Sequence, residues 1–191
     1  MKYKNPKNKS LSKKSVFFWV LILWLTAMGI VQGQTQGQTQ GSSENSAGET
    51  QLFEGYLYFA DSGGSHLKAQ PKLFPSGLDA HELGLAILEA LMAGPSIPGL
   101  TPTFPVGIQV KALFITEGKD AYVDLKIPDG QFKQADTVTE LLGIYSLVNS
   151  LTLNIPGISR VKILVNGTDD ARFGNHLSLN TFFKTNMLIV K

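Results

Sequence analysis

Hydrophobic and polar residues alternate along several short stretches of the chain, while two longer stretches have helical spacing. Residues 53–59 and 67–73 each carry apolar side chains at every second position, which predicts two strands. Turn residues at 61–64 separate them, so a hairpin is expected, and Pro71 predicts that the second strand lies at a sheet edge. The apolar set of that strand, expected to share one half-buried face, is Leu67, Ala69, Pro71 and Leu73.

Apolar residues at spacings of three and four predict two helices. The first follows an Asp79–Glu82 capping pair and ends at Gly94-Pro95. The second begins after Asp136 and ends near Asn154. Its predicted apolar stripe consists of Val138, Leu141, Leu142, Tyr145 and Val148. Between the helices, the proline-rich stretch 94–107 is expected to be an irregular but stiff loop.

A second hairpin and a final strand complete the pattern. Residues Ile108, Val110, Ala112 and Phe114 alternate with polar ones, a turn follows at 117–120, and Ala121, Val123 and Leu125 return on the inward side. Another strand covers 161–165 and ends at Asn166-Gly167. The tail 173–190 is expected to add an edge strand or a returning arm. The order β-β-α-β-β-α-β(-β) predicts an α+β domain over 52–191, with two helices on one face of a mixed sheet.

The start of the chain predicts export. Residues 16–31 are apolar and uncharged, and six lysines precede them, so the lysines should stay cytoplasmic and the remainder should cross the membrane. At about 1.5 Å per residue this run spans about 24 Å, against ~30 Å for a bilayer core. Residues 1–31 are therefore either a transmembrane anchor, giving a single-pass membrane protein, or a cleaved signal peptide, giving a secreted or periplasmic one. The Gln-, Gly-, Ser- and Thr-rich stretch 32–51 is expected to be a disordered, flexible linker.

Charge and cysteine content narrow the class of protein. Without the six N-terminal lysines, 11 basic residues face 15 acidic ones, so the exported part has a net charge of −4. This balance argues against a nucleic-acid partner. The chain has no cysteine, which excludes a disulfide and a lipid attached at a lipobox cysteine.

Candidate catalytic groups are few. His66, His81 and His176 lie far apart in sequence and form no metal-ligand spacing. The best carboxylate cluster is Glu117, Asp120 and Asp124 on the second hairpin, a pattern that could in principle serve glycan cleavage. A turn or cross-strand hydrogen bond is the expected role of Asp124. We therefore expect no enzyme, and no catalytic residue, cofactor or metal site.

Five ordered motifs resemble the GerMN domain family. They are Leu88–Pro95 (LEALMAGP, similar to L-x-x-L-x-x-G-P), Ala121–Leu125 (AYVDL, similar to A-x-V-D-L), the helix at 144–152 (IYSLVNSLT), Val161–Gly167 (VKILVNG, similar to V-x-I-L-V-x-G) and 174–179 (GNHLSL). Two departures are Lys126, where members usually have Ser, and the absence of cysteine, since related proteins are often lipoproteins. The resemblance implies a binding module outside the cytoplasmic membrane, similar in plan to ring-building motifs, with no established catalytic residues.

The resulting hypothesis is a tethered, non-catalytic interaction module of the bacterial cell envelope. It would dock to itself or to an envelope protein complex through a sheet edge or a helix face. The candidate contact residues are Pro71, Ile97, Phe182 and Phe183, although the two phenylalanines are equally compatible with a place in the core. One alternative is peptidoglycan binding or hydrolysis, for which Tyr56 and Tyr58 would form an exposed aromatic pair. Another alternative is an accessory domain of an envelope sensor system.

Overall fold

The computed structural model describes residues 51–128, 135–169, 174 and 176–191. The chain divides into two units, Met1–Asn45 and Ser46–Lys191, and the architecture below belongs to the second. The predicted membrane segment 16–31 and nearly all of the predicted linker lie outside the described residues. Within the described ranges, no helix has the length and apolar character needed to cross a membrane.

The described part contains six strands, two α-helices and one turn of 3-10 helix. In chain order they are β1 (Leu52–Asp61), β2 (Leu67–Pro75), α1 (Ala80–Ala93), β3 (Leu100–Thr101), β4 (Gln109–Ile115), β5 (Asp120–Lys126), α2 (Thr137–Asn154), β6 (Arg160–Val165) and the 3-10 turn Met187–Ile189. The predicted order of strands and helices is confirmed. The proline-rich loop additionally contains the two-residue strand β3, which sequence periodicity is too short to detect.

The strands form two separate three-stranded sheets, whereas the sequence predicted a single mixed sheet. The first sheet has the order β2-β1-β3 and is antiparallel; the second has the order β4-β5-β6, in which β5 and β6 are parallel. Both helices contact both sheets: α1 packs on β1 and β4, and α2 packs on β1 and β6. Local alternation identifies strands but carries no information on which strands pair, so the division into two sheets was missed.

The predicted inward face of β2 was wrong. Gln70 and Phe74 are buried, while Ala69, Pro71 and Leu73 are exposed. The β1–β2 register explains this, because Leu57 pairs with Gln70 and Phe53 pairs with Phe74 on the side that faces the helices. A glutamine therefore occupies an inward position, and its apolar neighbours point outward.

A β-bulge corrects the prediction for β4. The register with β5 shifts between Val110 and Ala112, which inserts one extra residue and reverses the side-chain alternation beyond it. As a result Leu113 is buried and Phe114 is exposed, opposite to the pattern expected from Ile108 and Val110. The inward positions of β5, namely Ala121, Val123 and Leu125, are confirmed as fully buried.

Both predicted helix starts are confirmed. The Asp79 carboxylate accepts the N–H groups of His81 and Glu82 at 2.8 Å each, and the Glu82 carboxylate accepts the Asp79 N–H in return. Asp136 accepts the Thr139 N–H at 2.7 Å. These bonds satisfy N–H groups that the first turn of a helix leaves unpaired. At the other end of α1, Gly94 adopts a positive φ of 86° and ends the helix.

Helix α2 is buried on more sides than its predicted apolar stripe implies. Val138 is 46% exposed, whereas Ile144, Leu147 and Leu151 are fully buried. Four polar residues, Glu140, Ser146, Asn149 and Ser150, are also fully buried. A single stripe is typical of a helix that covers one surface, but α2 contacts both sheets and the C-terminal residues.

Candidate interaction surface

One face of the β1–β2 hairpin carries exposed apolar side chains, and we call it the outer face. Cross-strand partners share a face, and the pairs concerned are Leu52 with Pro75, Glu54 with Leu73, and Tyr56 with Pro71. The exposed fractions are 54% for Leu52, 43% for Tyr56 and 59% for Leu73. Single exposed apolar residues are ordinary, but a contiguous group is typical of a binding surface.

The opposite end of the same face is covered by α2 and by the end of residues 176–191, which we call the C-terminal arm. Tyr58, Ala60 and Leu67 are buried there, and Ile189 and Val190 pack against this cluster. Val190 forms a parallel bridge with Leu67, and the Lys191 N–H donates to the Leu67 carbonyl at 3.0 Å. One end of the face is therefore already covered by a short apolar segment of the chain, part of which is a turn of 3-10 helix.

The free edge of β2 is unsuited to pairing with another strand. Two hydrogen bonds show which residues of β2 direct their backbone groups toward β1. The Asp61 N–H donates to the His66 carbonyl, and the Ser76 N–H donates to the Gln51 carbonyl. The backbone groups of residues 67, 69, 71, 73 and 75 then point away from β1. Two of these positions are Pro71 and Pro75, which have no N–H to donate. The prediction that β2 lies at an edge is confirmed, and its prolines protect that edge.

The loop that carries Ile97 is held by Gln70, whose side chain lies on the face of β2 opposite to Pro71. The buried side chain of Gln70 accepts the backbone N–H of Ser96 at 2.9 Å and of Ile97 at 3.3 Å. Ile97 itself is 42% exposed. The loop after α1 is therefore fixed to the residue that precedes Pro71.

Phe182 and Phe183 lie elsewhere, against the second sheet, and both are half-buried. Phe182 packs edge-on against Tyr122, with ring centroids 5.5 Å apart, and the Arg160 guanidinium lies 4.2 Å from its ring. Phe183 exchanges two backbone hydrogen bonds of 2.8 Å with Val161 and packs edge-on against Tyr145. Of the two sequence-based interpretations, this packing favours the core.

A row of polar residues on α2 closes the other edge of β1, and sequence analysis missed its role. Ser146, Ser150 and Asn154 are spaced four apart and lie on one side of the helix. Ser150 accepts the Tyr58 N–H at 3.0 Å, and Ser146 donates to the Tyr58 carbonyl. Asn154 accepts the Tyr56 N–H at 2.9 Å and donates to the Tyr56 carbonyl at 2.7 Å. The only signal in the sequence was a repeat of small polar residues at helical spacing inside an apolar helix.

Other polar residues of α2 hold the C-terminal arm. The Asn149 side chain accepts the Asn186 N–H and donates to the Asn186 carbonyl, both at 2.9 Å. The fully buried Glu140 carboxylate contacts His176 Nδ1 at 2.8 Å and accepts the Leu177 N–H at 2.8 Å. Two residues in the motifs of the GerMN resemblance, Asn149 and His176, thus have structural roles.

The three candidate carboxylates do not form one site. Asp120 makes a two-point ion pair with Arg160 at 2.7 and 2.9 Å, and hydrogen bonding from that guanidinium lowers the pKa of Asp120. Asp124 accepts the Gly167 N–H at 2.8 Å and pairs with Lys111 at 3.0 Å. Glu117 is exposed in the turn. The expected hydrogen-bonding role of Asp124 is confirmed, and it links the β4–β5 hairpin to the turn after β6.

The three histidines also have separate positions. His66 lies 3.5 Å from the Asp61 carboxylate, His81 Nε2 lies 3.2 Å from the Leu113 carbonyl, and His176 contacts Glu140. Within the part of the chain that the structure describes, no group of three or more His, Asp or Glu residues is arranged to hold a metal ion.

Asp61 is the carboxylate with the strongest backbone contacts. It accepts the N–H groups of His66 at 3.0 Å, Ser65 at 2.7 Å and Gly63 at 3.1 Å. These bonds stabilise the charged form and hold the pKa of Asp61 well below its ordinary value of 3.8. They organise the turn between β1 and β2 rather than a reactive group.

The predicted aromatic pair for glycan binding is not exposed as a pair. Tyr58 is only 7% exposed, because α2 and the C-terminal arm cover it. Tyr56 is accessible, and its hydroxyl donates to the Glu54 carboxylate at 2.6 Å, which raises the pKa of Tyr56. A sugar could therefore stack on one aromatic ring of this strand, not on two.

These features define a small α+β domain that presents an apolar sheet face. The family model for Germane, described as sporulation and spore germination, matches residues 56–171. The chain therefore belongs to the Germane family, and the resemblance to GerM-like proteins is confirmed. No curated protein matches the chain.

Among the solved structures that are similar to the chain, three share 22% sequence identity with it. The tandem GerMN domains of the sporulation protein GerM from Bacillus subtilis match with a TM-score of 0.51, over 65% of this chain and 43% of that one. The first GerMN domain of the same protein has a TM-score of 0.46, over 60% and 84%. A candidate lipoprotein from Clostridium perfringens has a TM-score of 0.49, over 70% and 87%. At this identity the first of these matches shows a shared fold alone.

Proposed function

We propose that this chain is a non-catalytic interaction domain of the bacterial cell envelope, working outside the cytoplasmic membrane. Its outer face would bind an extended apolar segment of another envelope protein. The Germane family assignment supports a place in the cell envelope. The exposed apolar residues of the outer face support binding of a partner segment. Residues 16–31 would hold the domain near the membrane, as an anchor or, if cleaved, only during export.

The observation that carries the proposal is the division of the outer face into a covered and an uncovered half. Ile189 and Val190 pack over Tyr58 and Leu67, while Tyr56 and Leu73 on the same face stay exposed. The C-terminal arm is thus an internal example of the ligand that this surface accepts. A partner segment would continue along the face from the end of the arm.

The prolines of β2 suggest how this contact differs from simple strand addition. Pro71 and Pro75 have no outward N–H, so a partner strand could not form a regular ladder along this edge. Binding would instead bury side chains against the rings of Tyr56 and Pro71. Burying about 300 Å² of apolar surface is worth several kcal/mol before entropic costs, which is enough for a weak contact reinforced by tethering.

Of the contact residues named from sequence, we keep two as proposed contacts and leave out the other two. Pro71 lies on the outer face, and Ile97 lies near the same strand, so both remain proposed contacts. Phe182 and Phe183 pack internally, and we do not place a partner on them. An accessory role beside an envelope sensor protein would use the same surface and is one form of this proposal.

The test is a paired substitution in the full-length protein within cells. Leu73→Lys places a charge at the centre of the outer face, and Val138→Lys places the same charge at a comparably exposed position on α2, 46% against 59%. After in-cell chemical crosslinking, we expect Leu73→Lys to lose the protein adducts of the wild type and Val138→Lys to keep them. Identical adducts in all three proteins, or adducts to wall glycan alone, would contradict the proposal.

A further inference from the structure

The edges of the two sheets on β2, on β6 and on the part of β1 beyond β3 are protected by identifiable contacts. On β2, Pro71 and Pro75 remove outward N–H groups and Val190 bridges to Leu67. On β1, the edge is closed by β3 and by the polar row Ser146, Ser150 and Asn154. On β6, Val161 pairs with Phe183 and the Val165 N–H donates to Thr168. Natural sheets commonly protect their edges in these ways against unwanted pairing.

The edge of β4 differs. The Thr116 N–H donates to the Asp120 carbonyl, and the register pairs residue 114 with 122 and residue 112 with 124. Residues 112, 114 and 116 therefore direct their backbone groups toward β5, and Leu113 and Ile115 direct theirs outward. The Leu113 carbonyl contacts His81 at 3.2 Å. Among the described residues, the Leu113 N–H and both backbone groups of Ile115 have no such contact.

This edge is also accessible. A cavity of about 300 Å³ is lined by His81, Leu113, Phe114 and Ile115. Phe114 is 69% exposed beside it. Neither Leu113 nor Ile115 is followed or preceded by a proline, and the bulge at Lys111 lies before both of them. An apolar strand with outward donors and acceptors is a template for pairing with another strand.

We infer that two copies of this chain pair through β4, antiparallel about a two-fold axis at Phe114. In that register the Leu113 N–H of each copy donates to the Ile115 carbonyl of the other, and the Ile115 N–H donates to the Leu113 carbonyl that His81 also contacts. The two Phe114 rings lie opposite each other. Lys111, at the bulge of one copy, lies at the same end of the pairing as Glu117 of the other, so opposite charges approach each other at both ends. Among the described residues, the edges on β1, β2 and β6 are protected, which leaves β4 of a second copy as the matching edge. Each copy uses the same patch, so the pairing closes as a dimer.

This inference concerns a different surface from the proposed function, and the two can fail separately. The outer face lies on the first sheet, and β4 lies in the second. A dimer formed through β4 leaves the outer face of both copies available to a partner. If Leu73→Lys abolishes the protein adducts but Phe114→Cys forms no disulfide-linked dimer, the dimer is rejected and the proposed function is retained.

The natural absence of cysteine permits a direct test. Directly opposite residues at a non-hydrogen-bonded antiparallel position have Cα atoms about 4.5 Å apart, within the range for a disulfide. We expect full-length Phe114→Cys in membranes to form a disulfide-linked dimer on mild oxidation. Ala69→Cys, at the proline-protected edge of β2, should remain monomeric under the same conditions.

A second variant separates pairing from random collision. Ile115→Pro removes an outward N–H from each copy, and in the Phe114→Cys background we expect the dimer yield to fall on the order of tenfold or more. Ala69→Pro in the same background is the matched proline control, at another outward backbone position on the edge of β2, and it should leave the yield unchanged. Equal crosslinking of Phe114→Cys and Ala69→Cys, or no effect of Ile115→Pro, would overturn the inference.

A third variant should disrupt the dimer without affecting the folding of the domain. Phe114 is mostly exposed, so Phe114→Lys should fold normally while placing two ammonium groups opposite each other in the dimer. Sedimentation of the detergent-solubilised full chain should show a dimer for the wild type at high concentration and a monomer for Phe114→Lys. A monomeric wild type, or a dimeric Phe114→Lys, would reject pairing through β4.

Discussion

The side-chain amide of Asn154 binds both backbone groups of Tyr56, as a neighbouring strand would. Its oxygen accepts the Tyr56 N–H at 2.9 Å, and its nitrogen donates to the Tyr56 carbonyl at 2.7 Å. The same nitrogen also donates to the Ser150 carbonyl at 2.7 Å within the helix. One residue at the end of α2 therefore closes an edge of the first sheet and ends the helix against it.

The fully buried Ser150 accepts the Tyr58 N–H at the same edge of β1, and replacing it should lower the stability of the domain measurably. In Ser150→Ala the Tyr58 N–H loses its partner, and leaving a buried donor unpaired costs about 1–3 kcal/mol. We expect the free energy of unfolding in urea to fall by that amount. Ser76→Ala, at an exposed position, is the control and should change it by less than about 0.5 kcal/mol. Equal effects would show that the serine hydroxyl is dispensable.

Asp61 predicts a loss of stability in acid. Hydrogen bonds from three backbone N–H groups lower its pKa in the folded protein below the ordinary value of 3.8. A lowered folded-state pKa adds stability above the unfolded-state pKa, and this stability is lost as the pH falls below it. In Asp61→Asn we expect unfolding free energy to depend less on pH below about pH 4. Asp120 and Asp136 have lowered pKa values too, so the dependence should weaken, not vanish. An unchanged pH profile in the variant would contradict this assignment.

The hydrogen bonds of Asn149 should slow the opening of the C-terminal arm. Asn149→Ala removes both hydrogen bonds to the Asn186 backbone, so the arm should open more often. Hydrogen exchange should become faster at Asn186 and Lys191, while the amides of α1 keep their wild-type rates. Leu153→Ala, at an exposed position on the same helix, is the control. Unchanged exchange of the arm in Asn149→Ala would mean that the apolar contacts of Ile189 and Val190 suffice.

If Asp124 has a structural role, its two substitutions should lower the free energy of unfolding by different amounts. Asp124→Asn retains an oxygen for the Gly167 N–H and loses the ion pair with the half-exposed Lys111, which is worth about 0–1 kcal/mol. Asp124→Ala also loses the buried hydrogen bond and should cost about 1–3 kcal/mol. Urea denaturation of the two variants measures the order. A larger loss for Asn than for Ala would contradict the proposed contacts.

The sequence predicted the features of the fold that depend on local chemistry. Capping by Asp79 and Asp136, the end of α1 at Gly94 and the inward side of β5 follow from neighbouring residues, and all are confirmed. Side-chain orientation failed where pairing decides it. The bulge before Ala112 reversed β4, and the register of Gln70 with Leu57 reversed β2. Both depend on contacts between distant residues, which periodicity does not report.

The candidate surface was predicted in part. Pro71 was identified by its effect on an edge strand, and the structure places it on the exposed outer face. Phe182 and Phe183 were proposed as contacts or as core from sequence alone, because apolar residues in a tail follow the same pattern in both roles; their contact role stays a prediction. The polar row on α2 was missed, since its ligands are backbone groups of β1, roughly 90 residues away in sequence.

The most direct test of the central claim is site-specific photocrosslinking from the outer face in living cells. A photoreactive amino acid at Leu73 should form one or a few discrete protein adducts, and the same group at Val138 should not. The adducts from position 73 should also disappear when Tyr56→Lys is added on the neighbouring strand. If position 73 yields no protein adduct, or the same adducts as position 138, the outer face is not the binding surface of this domain.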